Sequence, residues 1–474
     1  MIEHVRRLVL ALLCATSLLA ACTDGGDAGA SAPPSASTSS TPRPSTDPPQ
    51  ASPARPSTRL VDWPTYHHGP DRSGHIAAGP RGDLRKRWTR HLDGPVYGEP
   101  LVVGDELVAA TGTNKVYGLD ARTGRVRWRT GLGAPQPLDG LPCGNIDPLG
   151  VLGTPVYDAS TGWVFVAAEN RGGTHTLWAL DARTGRARWH RSLDTQPGRD
   201  KLAEQQRSAL LVTNGRVITV FGGLAGDCSN YVGYVTSVPT DGRGHTTSYA
   251  VPTAREAGMW APPGAVLGTN GSLYVASGNG AELHGTWDKS DSVIELDPTT
   301  LEERSVFAPA SWRDDNVHDL DLGSTSPAVV PAADRVVIAG KRGVVYLLSS
   351  RLGGIGSELA SIDGCAAFGG AAVVGRTVLL PCLGETSVRA LHVGDRSLTW
   401  AWTSPQLYGS PVVAGSRVYV TDRDSGDLVV LSLETGRQLS RHHAGAVGHF
   451  PSQSVSGDWV FVPTLAGVTA FAGS

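Results

Sequence analysis

Four cysteines beyond residue 60 are candidates for disulfide formation. They are Cys143, Cys228, Cys365 and Cys382, and they form no Cys-x-x-Cys pair, no haem-attachment motif and no metal-ligand spacing with a histidine. An even number of such cysteines indicates two disulfides in an oxidising compartment, with a metal site as the weaker alternative. Three pairings are open. We favour Cys365 with Cys382 inside one sheet, and Cys143 with Cys228 between loops of neighbouring repeats.

A second group of reactive residue types lies in five segments in the middle of the chain. The segments contain acids, an asparagine, a tryptophan and basic residues, and they are GGLAGDCSNYVGYV (222–235), MWAPPGAV (259–266), SLYVASGNG (272–280), NVHDLDLGSTSP (316–327) and GKRGVVYLL (340–348). Carboxylate and amide oxygens can bind a hard cation, and an aspartate can accept a proton. Such chemistry requires a fold that brings distant segments to one place.

Two nearly identical phrases identify the elements that must position these residues. KVYGLDARTGRVRW (115–128) and LWALDARTGRARW (177–189) each predict an apolar strand, a tight turn and a returning strand. The Asp-Ala-Arg-Thr-Gly turn supplies a side-chain acceptor and a glycine where a positive φ is wanted. The returning strand delivers Trp128 or Trp189 to a packing site on the neighbouring sheet. A repeat of about sixty residues predicts sheets stacked around an axis, which is a β-propeller.

Eight segments repeat the apolar opening of each phrase, so we expect an all-β, eight-bladed β-propeller of four-stranded antiparallel blades. The segments are residues 98–110, 153–168, 208–220, 261–277, 324–340, 368–381, 408–422 and 451–464. The last repeat has room for three strands only, and LRKRWTRHL (84–92) precedes the first repeat as an unattached strand. We expect residues 84–92 to supply the outer strand of the eighth blade, because ring closure removes long exposed sheet edges.

The composition agrees with an exported all-β protein. Glycine (59) and proline (32) are abundant, methionine (2) is rare, and no long amphipathic pattern occurs, so helix should be scarce. The formal net charge of −3 becomes −4 without residues 1–21, and the charges form no blocks, which argues against nucleic-acid binding. His67, His68, His442 and His443 are expected to be exposed loop residues rather than ligands.

The N-terminal residues predict export and a lipid anchor. Arg6 and Arg7 precede a short apolar run that ends in small residues, and LLAAC (18–22) resembles the lipobox of bacterial lipoproteins, with Cys22 as the lipidated residue. The predicted organisation is a signal peptide at 1–21, a Ser/Thr/Pro-rich disordered tether at 22–60 and the propeller at 61–474. The expected location is therefore extracytoplasmic, on the cell membrane. A secreted protein without a lipid is the alternative.

The repeat resembles the tryptophan-docking motif of a known family. Phrases of the form ALDxxTGxxxW are similar to those of the pyrroloquinoline quinone (PQQ) dehydrogenases and their non-catalytic relatives, which are eight-bladed propellers as a group. The resemblance covers roughly residues 84–474 and is strongest in the first two blades. Later copies, such as ELDPTTLEERSVF (295–307) and LSLETGRQLSRH (431–442), keep the rhythm and lose the tryptophan.

The resemblance implies a site for PQQ and calcium on the propeller axis. In this family an acidic residue, an asparagine and a catalytic aspartate hold the calcium ion, a tryptophan forms the floor, and a basic residue faces the quinone oxygens. The matching residues of this chain are Asp227, Asn279 and Asp319 for calcium, Trp260 for the floor, Asp319 or Asp321 for catalysis, and Lys341 or Arg342 for the quinone.

Two departures from the family pattern weigh against catalysis. The family commonly places two adjacent cysteines over the quinone, whereas GLPCGNIDPLG (140–150) contains only Cys143, and the acidic motif is one position shorter than usual. A structural role is the alternative for every candidate residue: shaping a turn, filling the axis, a solvated lysine, or pairing of the two aspartates with His318 or Arg313.

Three functions follow from the resemblance, and fold alone does not choose among them. The favoured one is a membrane-anchored, monomeric binding or scaffold protein that contacts a protein or glycan at the propeller face, with no required cofactor. The second is a calcium- and PQQ-dependent alcohol or sugar dehydrogenase, and the third is an envelope-assembly lipoprotein. Convergence of the candidate residues at one end of the axis would favour the dehydrogenase, and scatter around the rim would favour binding.

Overall fold

Each of the eight repeat segments forms one blade of a closed ring. The computed structural model describes residues 60–473, so the predicted signal peptide, Cys22 and nearly all of the predicted tether lie outside the described residues. Eight antiparallel sheets follow one another in chain order, and each begins with the strand nearest the axis. The predicted fold class, an all-β eight-bladed propeller with four-stranded antiparallel blades, is confirmed.

The first four blades take their strands from the first half of the chain. In blade 1 these are Leu101–Val103, Glu106–Ala110, Lys115–Asp120 and Val126–Gly131; in blade 2, Val156–Asp158, Trp163–Asn170, Thr174–Asp181 and Ala187–Ser192. In blade 3 they are Leu211–Thr213, Arg216–Gly223, Tyr234–Pro239 and Thr247–Ala250; in blade 4, Val266–Leu267, Leu273–Ala276, Val293–Leu296 and Glu303–Ala308.

The other four blades follow the same plan. Blade 5 contains Ala328–Val330, Arg335–Ala339, Val344–Ser349 and Ala360–Asp363; blade 6 contains Ala372–Val374, Thr377–Cys382, Ser387–Val393 and Leu398–Thr403. Blade 7 contains Pro411–Ala414, Arg417–Asp422, Asp427–Ser432 and Gln438–His443; blade 8 contains Ser454–Ser456, Trp459–Thr464, Gly467–Gly473 and Leu84–His91. Short extra strands join blade 3 (Glu204–Gln205), blade 4 (Gly354–Ile355) and blade 7 (His75–Ile76).

Helix is scarce in the described part of the chain, as predicted. It contains one α-helix, Trp312–His318, and two 3-10 turns, Leu322–Ser324 and Pro331–Ala333. Within residues 60–473 no helix has the length and apolar character needed to span a membrane.

The ring closes through the strand that precedes the first repeat. Leu84–His91 pairs antiparallel with Gly467–Gly473, from the Leu84–Gly473 pair to the His91–Gly467 pair. Blade 8 therefore combines three strands from the end of the described chain with one from its beginning. This confirms the expected role of residues 84–92 in closing the ring.

Tryptophans lock neighbouring blades together at the repeated turns. Trp128 of blade 1 lies against Gly185 in the turn of blade 2, where a β-carbon would come 2.3 Å from its ring. Trp189 of blade 2 donates its indole N–H to the carbonyl of Thr240 in blade 3, at 3.2 Å. The two best-preserved repeats therefore dock as predicted, each onto the following blade.

A segment before the first repeat crosses the axis, which the sequence did not predict. Trp63 forms a bridge with Val102 of blade 1, and further along the segment His75–Ile76 pairs in parallel with the first strand of blade 7. Between them His67 is fully buried, with Nδ1 3.0 Å from the carbonyl of Ala371. The expectation of an exposed His67 is therefore wrong, because this segment fills the centre of the ring.

The turn glycine Gly185 gives a direct test of tryptophan docking. Gly185 and Gly215 have nearly the same positive φ, +68° and +69°, but nothing lies within 4 Å of a β-carbon at Gly215. An alanine at either position carries a backbone cost of about 1 kcal/mol, while Gly185→Ala also overpacks Trp128. We expect Gly185→Ala to lower the free energy of unfolding by about 2 kcal/mol more than Gly215→Ala in urea titrations. Equal losses would contradict the docking.

Candidate functional site

A cavity of about 250 Å³ lies at one end of the propeller axis. Its walls come from the connections that enter blades 2, 3, 4, 5, 6 and 8, and from the central hairpins of blades 3 and 5. Five of the residues singled out from the sequence line it: Asp227, Trp260, Asp319, Asp321 and Lys341. They come from three different blades, so the ring brings together segments that are up to 114 residues apart, the separation of residues 227 and 341.

An aromatic layer forms the floor of the cavity. The ring centroid of Trp260 lies 6.2 Å from that of Phe368 and 5.9 Å from that of Phe450. Two cations flank the tryptophan: the guanidinium of Arg207 lies 5.8 Å from its ring centroid, and Lys341 Nζ lies 5.7 Å from it. The rings of Phe368 and Phe450 are tilted by 45° and 39° against that of Trp260. The floor is therefore aromatic and positively charged at its edges, and the face of Trp260 suits a planar anion.

The acidic side of the cavity is organised by one lysine. Lys341 Nζ lies 2.6 Å from Asp319 Oδ1 and 2.6 Å from Asp321 Oδ2. The side chain of Asp321 is 3% exposed, whereas that of Asp319 is 61% exposed. The backbone N–H of Asn279 donates to Asp321 Oδ1 at 2.6 Å, so Asn279 lies directly behind this wall.

Local structure explains why these acids face the lysine. Asp319 ends the helix Trp312–His318 in the left-handed conformation, which turns the chain sharply before Asp321. Lys341 follows the strand Arg335–Ala339, and its backbone N–H donates to the carbonyl of Asp321 at 2.9 Å. The backbone hydrogen bond thus holds the ion pair in register.

The alternative partners considered for the two aspartates are wrong. His318 pairs with Asp314 at 3.1 Å, and Arg313 donates to the carbonyl of Gly285 at 2.6 Å. Lys341 is likewise not a solvated side chain, since it is 20% exposed and holds both acids. Lys341, the buried Asp321 and the exposed Asp319 therefore form a cluster of three charges at the edge of the cavity.

The charged groups of this cluster shift one another's pKa values. Burial raises the pKa of Asp321, and the ion pair with Lys341 only partly offsets this effect. Burial lowers the pKa of Lys341, but the carboxylates of Asp321 and Asp319 outweigh it and leave the pKa above its ordinary value. The lysine is therefore charged at neutral pH, and its charge is what makes an ionised Asp321 tolerable in a buried position.

Of the other predicted residues, Asp227 lies at the cavity and Arg342 lies outside it. Asp227 lies at the rim and accepts a hydrogen bond from the hydroxyl of Tyr231. Arg342 lies outside the cavity, because its guanidinium pairs with Asp314 and Asp315. Of the two basic residues proposed for the quinone, the cavity therefore contains Lys341.

Both predicted disulfides are confirmed. Cys365–Cys382 ties the second strand of blade 6 to the segment that precedes that blade. Cys143–Cys228 joins the loop entering blade 2 to the central hairpin of blade 3, next to cavity residues Asn145 and Asp227. The rim thus carries a cross-link between two loops in place of a pair of adjacent cysteines.

Sequence reasoning missed three residues that dominate the floor. Arg207, Phe368 and Phe450 each stand immediately before, or at the start of, a repeat segment, as Trp260 does. The chain enters each blade at the axis, so this register position faces the cavity. Aligning the eight repeats at this position would have found all three.

The donor set of the cavity fits the cofactor that the resemblance implies. Of the predicted calcium ligands, Asp227 and Asp319 line the cavity together with Asp321, and Asn279 lies behind its wall. Carboxylates and amides are typical calcium ligands. Within residues 60–473 no acid lies within ion-pairing distance of Arg207, whose guanidinium contacts only aromatic rings, at 5.8 Å from Trp260 and 4.8 Å from Phe450. A desolvated cation over an aromatic floor is suited to the carboxylates of a planar ligand.

Comparisons with known proteins agree with this architecture. Residues 72–300 match the PQQ-repeat family model described as outer membrane protein assembly factor BamB. The match, together with eight closed blades, confirms the resemblance predicted from the repeat: this chain is an eight-bladed β-propeller similar to the PQQ-repeat proteins.

The similar proteins include two dehydrogenases and a BamB protein. A polyvinylalcohol dehydrogenase from Pseudomonas sp. is 24% identical over 379 residues, which cover 68% of this chain and 55% of that protein, so this chain spans about half of its length. The quinohemoprotein alcohol dehydrogenase of Comamonas testosteroni has a TM-score of 0.66 at 18% identity, covering 87% of this chain and 81% of its own. BamB from Moraxella catarrhalis has a TM-score of 0.57 at 16% identity, covering 82% and 100%.

The charge cluster predicts a pH-dependent loss of stability in Lys341→Met. This change leaves the buried carboxyl of Asp321 unpaired, which should cost about 3 kcal/mol at neutral pH. The pKa of Asp321 in the folded variant then lies even further above that of the unfolded chain. The protonated Asp321 carboxyl therefore stabilises the folded variant in acid, and this contribution is lost as the pH rises through the folded-state pKa. The stability deficit of the variant relative to the wild type should be smaller at about pH 4.5 than at about pH 8.

Urea unfolding of the wild type and the variant at both pH values measures this effect. Lys289→Met is the matched control, because Lys289 pairs with the more exposed Glu303, also at 2.6 Å. Its cost should stay below about 1 kcal/mol with no such trend. A pH-independent deficit in Lys341→Met would show that Asp321 does not depend on this lysine.

Proposed function

We propose that this chain is an extracytoplasmic dehydrogenase that uses PQQ and calcium to oxidise an alcohol or sugar hydroxyl. The observation that carries the proposal is the convergence of Asp227, Trp260, Asp319, Asp321 and Lys341 on one cavity at the axis. A purely structural origin for these residues would not require an acid pair, a lysine and an aromatic floor to face the same space.

The cavity offers each part of the cofactor a matching partner. Trp260 would carry the flat ring system, and Arg207 would pair with a carboxylate at its edge. Lys341 would face the quinone oxygens, while Asp227, Asn279 and an aspartate of the acidic motif would supply oxygen ligands to calcium. When bound, PQQ supplies the two-electron acceptor for hydride from the substrate.

Asp321 is the side chain best placed to act as the base. Its carboxyl is buried and held by Lys341 Nζ and by the backbone N–H of Asn279, whereas the Asp319 side chain is largely exposed. A buried carboxylate with a raised pKa is a stronger proton acceptor than a solvated one. The charge of Lys341 favours its ionised form, which is the form that can take the hydroxyl proton.

A binding or scaffold role is the second candidate function. It is favoured by the family model described as an outer membrane protein assembly factor and by the absence of an adjacent cysteine pair at the rim. In this case the cavity would be a structural part of the propeller, and a protein or glycan would bind at the propeller face. The envelope-assembly lipoprotein is one form of this proposal.

The location proposed for either function is extracytoplasmic, anchored through a lipid on Cys22. Two disulfides support an oxidising compartment. The anchor rests on the order of charge, apolar run and small residues before Cys22, and the monomeric state is proposed with it.

Isothermal titration of the full chain with PQQ tests the dehydrogenase directly. We expect PQQ to bind in calcium and not in chelator, and Asn279→Ala should abolish this calcium-dependent binding. Arg207→Ala should weaken binding at least about tenfold, because it removes a charge-assisted contact. Chain loaded with PQQ should then oxidise alcohols or sugars with an artificial electron acceptor.

The matched control is Arg389→Ala. Arg389 also stacks on a tryptophan, at 3.8 Å from the ring centroid of Trp400, but outside the cavity, so PQQ affinity should not change. If folded chain binds no PQQ in calcium, the dehydrogenase is excluded and the binding role takes its place.

The lipid anchor has its own test. Cys22→Ser removes the acceptor of the lipid, so the protein should leave the membrane fraction for the medium or stay as unprocessed precursor. Fractionation with immunoblotting of the full chain measures this, with Cys14→Ser as the control that keeps the anchor. Unchanged membrane retention of Cys22→Ser would rule out lipidation at this residue.

A further inference from the structure

Four ionisable side chains meet between blades 2 and 3, outside the axial cavity. Glu169 and His175 flank the central hairpin of blade 2, Asp194 follows its last strand, and Glu204 lies on the short strand Glu204–Gln205 that joins blade 3. These four residues are called the His175 cluster here. All are buried, with side-chain exposures of 0% for His175, 1% for Glu169 and 7% for Asp194.

The imidazole of His175 lies between carboxylates. Its Nδ1 is 3.2 Å from Asp194 Oδ1, and its Nε2 is 3.5 Å from Glu169 Oε2. One ligand atom each from His175, Asp194 and Glu204 lie within 4.8 Å of one another. This spacing places one nitrogen and two oxygens around a point that a single ion could reach.

Several buried polar atoms of the cluster lack hydrogen-bond partners. Both carboxylate oxygens of Glu169, Oε1 of Glu204 and Nε2 of His175 accept or donate no hydrogen bond. The other oxygen of Glu204 accepts from the hydroxyl of Tyr234 at 3.1 Å, which fixes the carboxylate in place. Glu169 Oε2 and His175 Nε2 lie 3.5 Å apart and face each other. Leaving a buried carboxylate oxygen such as Glu204 Oε1 without a partner is costly, so this atom is suited to bind a cation.

The charges of the cluster also fall short of balance. Three carboxylates face one cation, Lys201, whose Nζ lies 3.0 Å from Asp194 Oδ2. In the protonation state that a bound ion requires, with three ionised carboxylates and a neutral imidazole, the sum is −3 plus 1, or −2. A divalent cation would cancel this charge.

We propose that the His175 cluster is a binding site for a divalent transition-metal ion, Zn²⁺ or Mn²⁺. His175, Asp194 and Glu204 supply the ligands, and Glu169 accepts the N–H of the imidazole nitrogen that does not bind the ion. A carboxylate behind a metal-bound histidine is a common arrangement, since it orients the ring. One imidazole with carboxylates suits zinc or manganese better than calcium, which prefers oxygen ligands alone.

The site has a structural consequence for the axial cavity. Glu204–Gln205 pairs with Gly222–Gly223, and Gly223 lines the cavity. Arg207 follows three residues after Glu204. An ion bound to Glu204 therefore fixes the segment that carries Arg207 to the cavity floor, although the ion site does not depend on the function proposed for that cavity.

The competing arrangement is a protonated histidine held by the acids alone. Burial lowers the pKa of His175, but the hydrogen bonds and charges of Asp194 and Glu169 outweigh it and raise the pKa to about 10. In this arrangement the imidazole keeps the proton that a metal ion would have to displace, and the site takes up no ion.

Metal binding by the full chain separates the two arrangements. Chain stripped with EDTA and dialysed should take up one Zn²⁺ or Mn²⁺ per molecule in calorimetric titration, and the ion should raise the Tm by about 3 °C or more. Co²⁺ should give visible d–d bands that change in His175→Gln. Glu204→Gln, which keeps shape and removes the charge, should weaken zinc binding at least about tenfold.

Two controls keep the test specific. Glu302→Gln makes the same change at an exposed position, and Asp321→Asn changes the axial cavity, so both should keep full zinc stoichiometry and affinity. No stoichiometric binding of Zn²⁺ or Mn²⁺, with a Tm that EDTA leaves unchanged, would overturn the proposal in favour of the protonated histidine. Equal binding by Glu204→Gln and wild type would overturn the assigned ligands.

Discussion

Closure of the ring by one antiparallel strand pair is the constraint on which the rest of the structure depends. Leu84–His91 binds Gly467–Gly473 and joins the two ends of the described chain in blade 8. Without this pair, blades 1 and 8 would each present an open face, and the axis would have no fixed radius. Both the floor and the walls of the axial cavity are built from residues at that radius. The cavity therefore exists only because the ring is closed.

The axis concentrates charge where burial makes it expensive. Lys341 holds two aspartates, and Arg207 lies over aromatic rings with no acid within ion-pairing distance in the described chain. Buried charges of this kind rarely add stability, so their presence is better explained by a ligand than by the fold. The His175 cluster also contains buried charge that the fold does not balance, but here the excess is negative, because the carboxylates outnumber the cations. Positive charge at the cavity floor suits an anion, and negative charge between blades 2 and 3 suits a metal ion.

Much of the site could be predicted because the resemblance lies in local motifs. Trp260, Asp321 and Lys341 were found in short segments whose glycines and acids match the family, and all three line one cavity. The sequence could not decide whether Lys341 or Arg342 faces the cavity. The two residues are neighbours on a turn, and the backbone conformation of the turn fixes the direction of each side chain. Arg207 belongs to no motif, and its role depends on where the chain enters blade 3.

The sequence by itself determined the repeat, the eight blades and the turns, and it favoured the two disulfide pairings that the structure has. These follow from contacts within one repeat or between adjacent repeats, which local patterns encode. Only the tertiary structure decided which side chains meet at the axis, that His67 is buried by a segment crossing the ring, and that Glu204 joins three residues of blade 2. The physical reason is that these neighbours lie on different blades, and their distances depend on the radius and stagger of the whole ring rather than on any one repeat.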